Sequence, residues 1–476
     1  EEIAPEDRRG VPVSLSASGC LARNPRFALS GLLTDNGATR LWEAGRELIG
    51  KVIRRGMLVW IVGALLLRVS DIAARLVGAR ILGPENQGVL EILVAWIATG
   101  TLLTSAGFST SASIHVSDAR DPDEQQTIFA VGIIGILAGC LAVGVGGLIF
   151  FLTTSWIPPS VARYGLLVMA IIVLAGFGDP RFGLFGLVGM GLKQYAMVGR
   201  QRLLVAALYF GGWVAGAWLA GVRGALVGWA VAVLAGALYA LRGLPLRLRF
   251  AVTARARAGR VCRHAWQCLG NQISSRFNEY LAVLLLVLYS LPREDIGNFG
   301  VSLAGARILL VVPAMLGSLS LPYLVSIHRD RPTHLRLSRM LFWLTVGIAL
   351  ASWLALSVAG RWLLPDLLPR FAEAQALFQI LVLACLFDAF CLSLGTRFLS
   401  LHLPAKNLIV NVLSVVALPI LAVVLIPHFG VYGMAYAWCF LSGSRVLAVL
   451  GLTLHERHAT ASAAGDDEVL IDFGEN

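Results

Sequence analysis

Between residues 57 and 453 the chain is a succession of apolar runs of about 20 residues, the length a helix needs to cross ~30 Å of hydrocarbon. That repetition confines it to the membrane. The runs Val131 to Leu152 and Leu408 to Ile426 hold no charged residue at all. Hydrophobic residues make up 57% of the 476 and charged residues 14%, where soluble domains carry about 25% charge. No single soluble core could bury this much apolar surface. Spans are expected at about 57–79, 88–114, 127–153, 164–190, 203–219, 224–240, 265–290, 297–326, 340–360, 371–399, 408–426 and 431–453. They are numbered one to twelve below.

The net charge of +11 could suggest nucleic acid, but its placement follows the loops. The loops at 116–126, 191–202, 241–264, 328–339 and 400–407 hold sixteen Lys and Arg. The alternate loops at 80–87, 154–163, 220–223, 291–296, 361–370 and 427–430 hold six. The basic face is expected to be cytoplasmic. An even number of spans then places both termini there, in agreement with Lys51, Arg54 and Arg55 just before span one. The bias accounts for the positive charge without a nucleic-acid partner.

Residues 1–56 read as a cytoplasmic extension with no apolar core of signal-peptide type. Within it, Leu41, Trp42, Leu48, Ile49, Val52 and Ile53 recur at roughly helical spacing among Arg40, Arg46, Lys51 and Arg54. That stretch reads either as an interfacial amphipathic helix on membrane phospholipids or as a plain lead into span one. Residues 454–476 read as an acidic cytoplasmic tail, with Asp466, Asp467 and Glu468. The seven cysteines show no metal spacing and read as small apolar fillers. His115, His264, His402 and His428 are scattered near span ends, so neither a metal site nor a cofactor is expected.

Three short markers recur in order. Arg68-Val-Ser-Asp71 in span one parallels Arg276-Phe-Asn-Glu279 in span seven, 208 residues on. Asn86-Gln-Gly88-Val89 parallels Asn298-Phe-Gly300-Val301 at an offset of 212, and Gly221-Val222-Arg-Gly224 parallels Gly430-Val431-Tyr-Gly433 at 209. The offset holds six spans, an even number, so the halves share one membrane orientation. The chain therefore reads as an all-α polytopic membrane protein in two parallel, pseudo-symmetric six-helix bundles, 57–240 and 265–453. An Arg-rich cytoplasmic linker at 241–264 joins them.

Ionisable side chains inside spans are costly and by default face a bundle interior or a wet cavity. Arg68, Asp71 and Arg75 lie along one face of span one. Arg276 and Glu279 repeat the pattern in span seven, with Arg307 in span eight, Glu91 in span two, and Asp388 and Arg397 in span ten. Arginine presents a planar fork suited to phosphate or carboxylate, so the expectation is a cationic cavity lined by Arg68, Arg75, Arg276, Arg307 and Arg397. The opposing reading makes the Arg/acid pairs intrahelical partners that ease docking in the bilayer, with Arg397 snorkelling at an interface. Span four is interrupted by Gly176-Phe-Gly178-Asp179-Pro180-Arg181, where Gly178 and Pro180 read either as a hinge or as close helix packing.

The segment Ala79-Arg-Ile-Leu-Gly83-Pro84-Glu85-Asn-Gln-Gly88 resembles the A-R-x-L-G-P-E-x-x-G signature of the bacterial polysaccharide transporters, the Wzx-type oligosaccharide flippases. Ile296-Gly297-Asn298-Phe299-Gly300 and Ile426-Pro427-His-Phe-Gly430-Val-Tyr-Gly433-Met-Ala435 resemble two further motifs of that family. The resemblance covers about residues 57–453. It implies a MATE-like fold of the multidrug/oligosaccharidyl-lipid/polysaccharide flippase superfamily. It also implies a cargo, an undecaprenyl-pyrophosphate-linked oligosaccharide moved by alternating access across the bacterial inner membrane. The five arginines would then bind the anionic headgroup, and Asp71, Glu279 or Asp388 would couple Na+ or H+. Polysaccharide polymerase or export machinery is a further candidate partner.

Rival readings are a lipid II flippase or a multidrug/cation antiporter of the same fold and, from another class, a polytopic glycosyltransferase or polymerase. An antiporter predicts an acid-dominated cavity. A membrane enzyme needs a catalytic acid or base in a sizeable external loop. Here the Arg-poor loops are about ten residues or fewer and offer only Glu85, Glu294, Asp295 and Asp366.

Overall fold

A computed structural model describes residues 56–119, 121–153, 163–246, 255–326, 331–371, 373–400 and 404–470, and these contain helices and no strand. The expected interfacial helix before span one lies outside the described residues.

Among the described residues, seven helices are long and apolar enough to cross a membrane. A bent pair, Arg293–Ala306 and Ile308–Gly317, meeting at 44°, makes an eighth. Two of the seven, Met57–Ser105 and Tyr195–Gly243, run 49 residues. At ~1.5 Å per residue a straight helix of that length is roughly 70 Å long, over twice the hydrocarbon thickness. Neither is straight. Gly83 sits at φ 76, ψ 170 in the first, and Gly221 at φ 57, ψ −139 in the second. In the first, Arg75 and Glu91 form an ion pair at 3.1 Å although 16 residues apart, a contact only a folded-back hairpin allows. In the second, a Cβ at Gly216 would overlap the backbone of Gly224, and one at Gly228 that of Gly212. This is close small-residue packing of the kind that joins membrane helices. Each long helix is thus two spans.

The shorter helices supply the remainder. Span four is Gly165–Gly178 followed by Leu184–Gly191, and span seven lies in Arg255–Leu288, whose apolar part is Phe277–Leu288. Among the described residues, each of the twelve expected spans therefore lies mainly on helix, span four being interrupted at 179–183. The span-seven helix begins at Arg255, so the second part of the basic linker is helical. The last helix runs from Val431 to Leu470, well into the stretch read as a tail. Alanines 459, 461, 463 and 464, strong helix formers, carry it past the membrane.

The repeat is visible in the backbone. Gly221 and Gly430, equivalent positions 209 residues apart, both take left-handed φ, 57° and 58°. Only glycine adopts that conformation without a steric penalty. Each turns the chain between the last two spans of its half.

Among the described residues, the halves meet at both ends. At the Arg-poor end, the repeat-related segments after Gly83 and after Pro292 face each other. A Cβ at Gly88 would overlap the Arg293 carbonyl oxygen, one at Gly297 the Pro84 carbonyl oxygen, and one at Gly300 the Glu91 side chain. Arg293 and Glu85 pair across the seam at 3.3 Å. At the basic end, the Ser111 hydroxyl of span two donates to the Val261 carbonyl at 2.8 Å, and His115 meets His264 edge-on at 5.4 Å. Two of the histidines that look scattered in sequence are therefore neighbours. Among the described residues, no group of three His, Cys, Asp or Glu side chains is placed to hold a metal.

Candidate functional site: the buried ion network beside the break in span four

Span four stops at Gly178 because of the residue pair that follows. Proline disfavours helical backbone at the residue before it, and Asp179 is extended at φ −61, ψ 120. The Asp179 carboxylate then accepts from the Arg181 amide at 2.7 Å, and the Gly183 amide donates to the Asp179 carbonyl at 2.7 Å. A new helix starts at Leu184. Such a break leaves carbonyls unpaired at membrane depth, which is tolerated only where protein or water satisfies them. Buried side chains of span five do so. The Gln201 carboxamide donates to the Gly178 and Gly236 carbonyls, each at 3.2 Å, tying spans four, five and six together. Arg202 donates to the Pro180 carbonyl at 3.3 Å, and its guanidinium lies over the Trp60 ring at 4.9 Å.

The break delivers Arg181 to span one. Its Nη2 lies 3.1 Å from one oxygen of Asp71, whose other oxygen is 3.5 Å from Nε of Arg75. Arg75 in turn binds Glu91 at 3.1 Å, and Glu91, 4% exposed, accepts from Gln87 at 2.8 Å. Asp71, Arg75, Arg181 and Tyr209 line a cavity of about 50 Å³ with Asp179, Phe182, Trp229 and, from the second half, Tyr280.

The second half holds two further ion pairs. Glu279 of span seven binds Arg307 at 3.1 Å, at the bend between the two helices of span eight. Deeper in that half, Arg445 of span twelve binds Asp388 of span ten at 3.1 Å and donates to the Asn411 side-chain amide oxygen (Oδ1) of span eleven at 3.0 Å. Trp438 donates to Asp388 at 3.4 Å.

The expected site residues are therefore distributed as follows. Asp71 and Arg75 belong to the network in the cavity. Arg307 and Glu279 pair with each other across two helices, and Asp388 belongs to a separate triad. Arg68, on the helix of Asp71, is exposed. Arg276 lies on the span-seven helix with its side chain outside the described set. Arg397 is buried rather than snorkelling, beside Ser400, which donates to its carbonyl and meets His334 at 2.8 Å. The acid in each Arg-x-x-acid marker pairs with an arginine of another helix, Asp71 with one from span four in addition to Arg75 of its own helix, and Glu279 with one from span eight. Gly178 serves close packing, since a Cβ there would overlap the Val233 carbonyl of span six, while Pro180 ends the helix.

Arg181, Arg202 and Arg445 are functional candidates that the sequence reading passes over. The rule applied to Arg68 and Arg276, that a charge within an apolar run marks a site, also flags Arg445. The repeat flags the rest: Asp179 and Asp388, Arg202 and Asn411, Gly236 and Arg445, and Trp229 and Trp438 are each 209 residues apart. The Gly236/Arg445 position thus takes part in the contacts of both halves, through its backbone carbonyl in the first and its side chain in the second.

Residues 53–358, more than half the chain, match the family model described as polysaccharide biosynthesis protein. The chain belongs to that family. This family member shares its fold with an inward-facing multidrug resistance MATE family transporter of the MOP superfamily. The TM-score is 0.67 at 12% identity over 85% of this chain and 98% of that one. It is similar also to the lipid II flippase MurJ in an inward closed conformation, with a TM-score of 0.66 at 11% identity over 88% and 94%. An outward-facing MATE family transporter gives 0.59 at 14% identity over 86% and 96%. No curated protein matches the sequence.

Proposed function

We propose that this protein is a flippase that carries a lipid-linked oligosaccharide, borne on undecaprenyl pyrophosphate, across the bacterial inner membrane by alternating access. The observation that carries the reading is the Arg75, Asp71, Arg181 network, set in a cavity at a broken helix and facing Tyr280 of the other half. Transporters place cargo sites at such discontinuous spans between repeats. The guanidinium fork suits pyrophosphate. Membership of a polysaccharide biosynthesis family and a fold shared with a lipid II flippase support a lipid-linked sugar over a small cation.

In this reading the basic face and both termini are cytoplasmic, and the bundles 57–240 and 265–453 rock about the seam between spans two and eight. The headgroup meets Arg68, Arg75, Arg276, Arg307 and Arg397 in turn. Asp71, Glu279 and Asp388 remain the candidates for coupling Na+ or H+, and for Asp71, Glu279 and Asp388 alike, coupling requires an ion pair with arginine to open first. The role is transport rather than catalysis, a reading supported by the fold shared with transporters and a flippase.

Depletion of the protein tests the reading. Lipid-linked oligosaccharide should accumulate on the cytoplasmic leaflet, and labelled sugar reaching the outer leaflet at the normal rate would overturn it. Accumulation of lipid II instead would reassign the cargo. Arg276→Ala should stop translocation while the protein stays folded.

A further inference from the structure

We infer that Asp71 is a resident counter-anion that occupies the place of the cargo's phosphate on Arg181, so that cargo loads by displacing it. The inference rests on the flippase reading only for the identity of the anion.

The two arginines around Asp71 are held unequally. Arg75 keeps Glu91 at 3.1 Å, itself braced by Gln87, and its contact with Asp71 is long, 3.5 Å. Loss of Asp71 leaves Arg75 paired. For Arg181, Asp71 is the one carboxylate within ion-pair distance among the described residues. A guanidinium at membrane depth does not stay unpaired without a large penalty. Asp71 therefore leaves Arg181 only as another anion arrives, one for one.

The cavity of about 50 Å³ that the pair lines has room for water at ~10–15 Å³ each, so Arg181 lies beside space that is open to solvent-sized groups. The segment carrying Arg181 is suited to exchange, because residues 179–183 form a turn between two helices. Its flanking carbonyls bond to Gln201 and Arg202, so Arg181 can shift without breaking a helical ladder.

The second half shows the alternative construction at the equivalent position. Asp388 sits on the unbroken helix Ala374–Ser400. Its arginine comes from the position that is Gly236 in the first half, and that arginine is fixed in turn by Asn411. That triad is closed on itself, whereas the Asp71 and Arg181 pair opens onto the cavity.

The test uses the full chain in lipid nanodiscs, with inorganic pyrophosphate and a polyprenyl pyrophosphate as probes in equilibrium binding. Asp71→Asn, nearly isosteric, removes the competing charge and should tighten binding by about tenfold, equivalent to ~1.4 kcal/mol. Arg181→Gln should abolish that gain in the Asp71→Asn background. Asp366→Asn, at an exposed carboxylate outside the cavity, should leave the affinity unchanged. Tightening confined to the polyprenyl probe identifies a lipid headgroup as the anion, and equal tightening toward both probes identifies a free phosphate site; either supports the exchange. Unchanged or weaker binding by folded Asp71→Asn overturns it. Should that variant not fold, Asp71→Ser, which also removes the competing carboxylate, carries the test and should tighten binding to a similar extent; no tightening overturns the inference. Normal translocation without tightening removes the exchange and leaves the flippase standing. Tightening without any translocation does the reverse.

Discussion

Gly88 and Gly297 meet across the seam between spans two and eight so closely that a Cβ on either would overlap backbone of the other segment. The seam is built from the repeat-related segments of the two halves, which places it on the pseudo-symmetry axis. Gly88→Ala should push the halves apart at this end, lowering stability by about 1–3 kcal/mol and impairing translocation. Thermal unfolding in detergent, together with complementation of a depleted strain, measures both. A variant that melts and transports like the parent would remove the seam as a closure point.

Arg75 and Glu91 form the most buried ion pair in the network, so removing one partner leaves an uncompensated charge. Glu91→Gln should cost about 3–5 kcal/mol, and the double change Arg75→Met with Glu91→Leu should cost less than the single one. A double-mutant cycle on unfolding measures the coupling. Additive effects would mean that the pair contributes nothing as a pair.

The triad in the second half predicts a gain of sensitivity. Arg445→Met leaves Asp388 buried with only neutral partners, so the carboxylate must be neutralised by a proton or a cation to remain there. The variant should become more stable in acid and in sodium chloride than in choline chloride at alkaline pH, while the parent shows no such difference. Melting curves across that grid decide the matter, and an insensitive variant would show that the carboxylate is otherwise satisfied.

The paired left-handed glycines predict equal penalties in the two halves. Gly221→Ala and Gly430→Ala should each destabilise by about 1–2 kcal/mol, the steric price of that backbone region for a residue with a Cβ. A large difference between the two would mean that the turns are not equivalent in energy, although they match in geometry.

The spans and the repeat are legible in the sequence because membrane thickness and apolar run length impose them directly. Gly221 and Gly430 show the same for the turn between the last two spans of each half. The partners of the buried charges were harder to read. Spacing along one helix suggests Arg68 and Arg75 for Asp71; Arg75 does lie beside it, but the shorter contact is with Arg181, because Pro180 breaks span four and turns the chain toward span one. Arg445 lies 57 residues from Asp388, and only helix packing brings them together. The contact of His115 with His264 has the same origin, since it joins the end of span two to the linker.

Duplication of a six-helix unit would by itself produce two interchangeable halves with matching tolerances. The substitution of an arginine for a glycine at one equivalent position, Arg445 for Gly236, ends that interchangeability. The second half carries a guanidinium clasp across its last three helices; the first has a glycine at that position, is tied instead by the Gln201 carboxamide, and has a helix that stops half-way. Two copies of one unit are thereby stiffened by different means, a closed ion triad in one and a carboxamide beside an interrupted helix in the other.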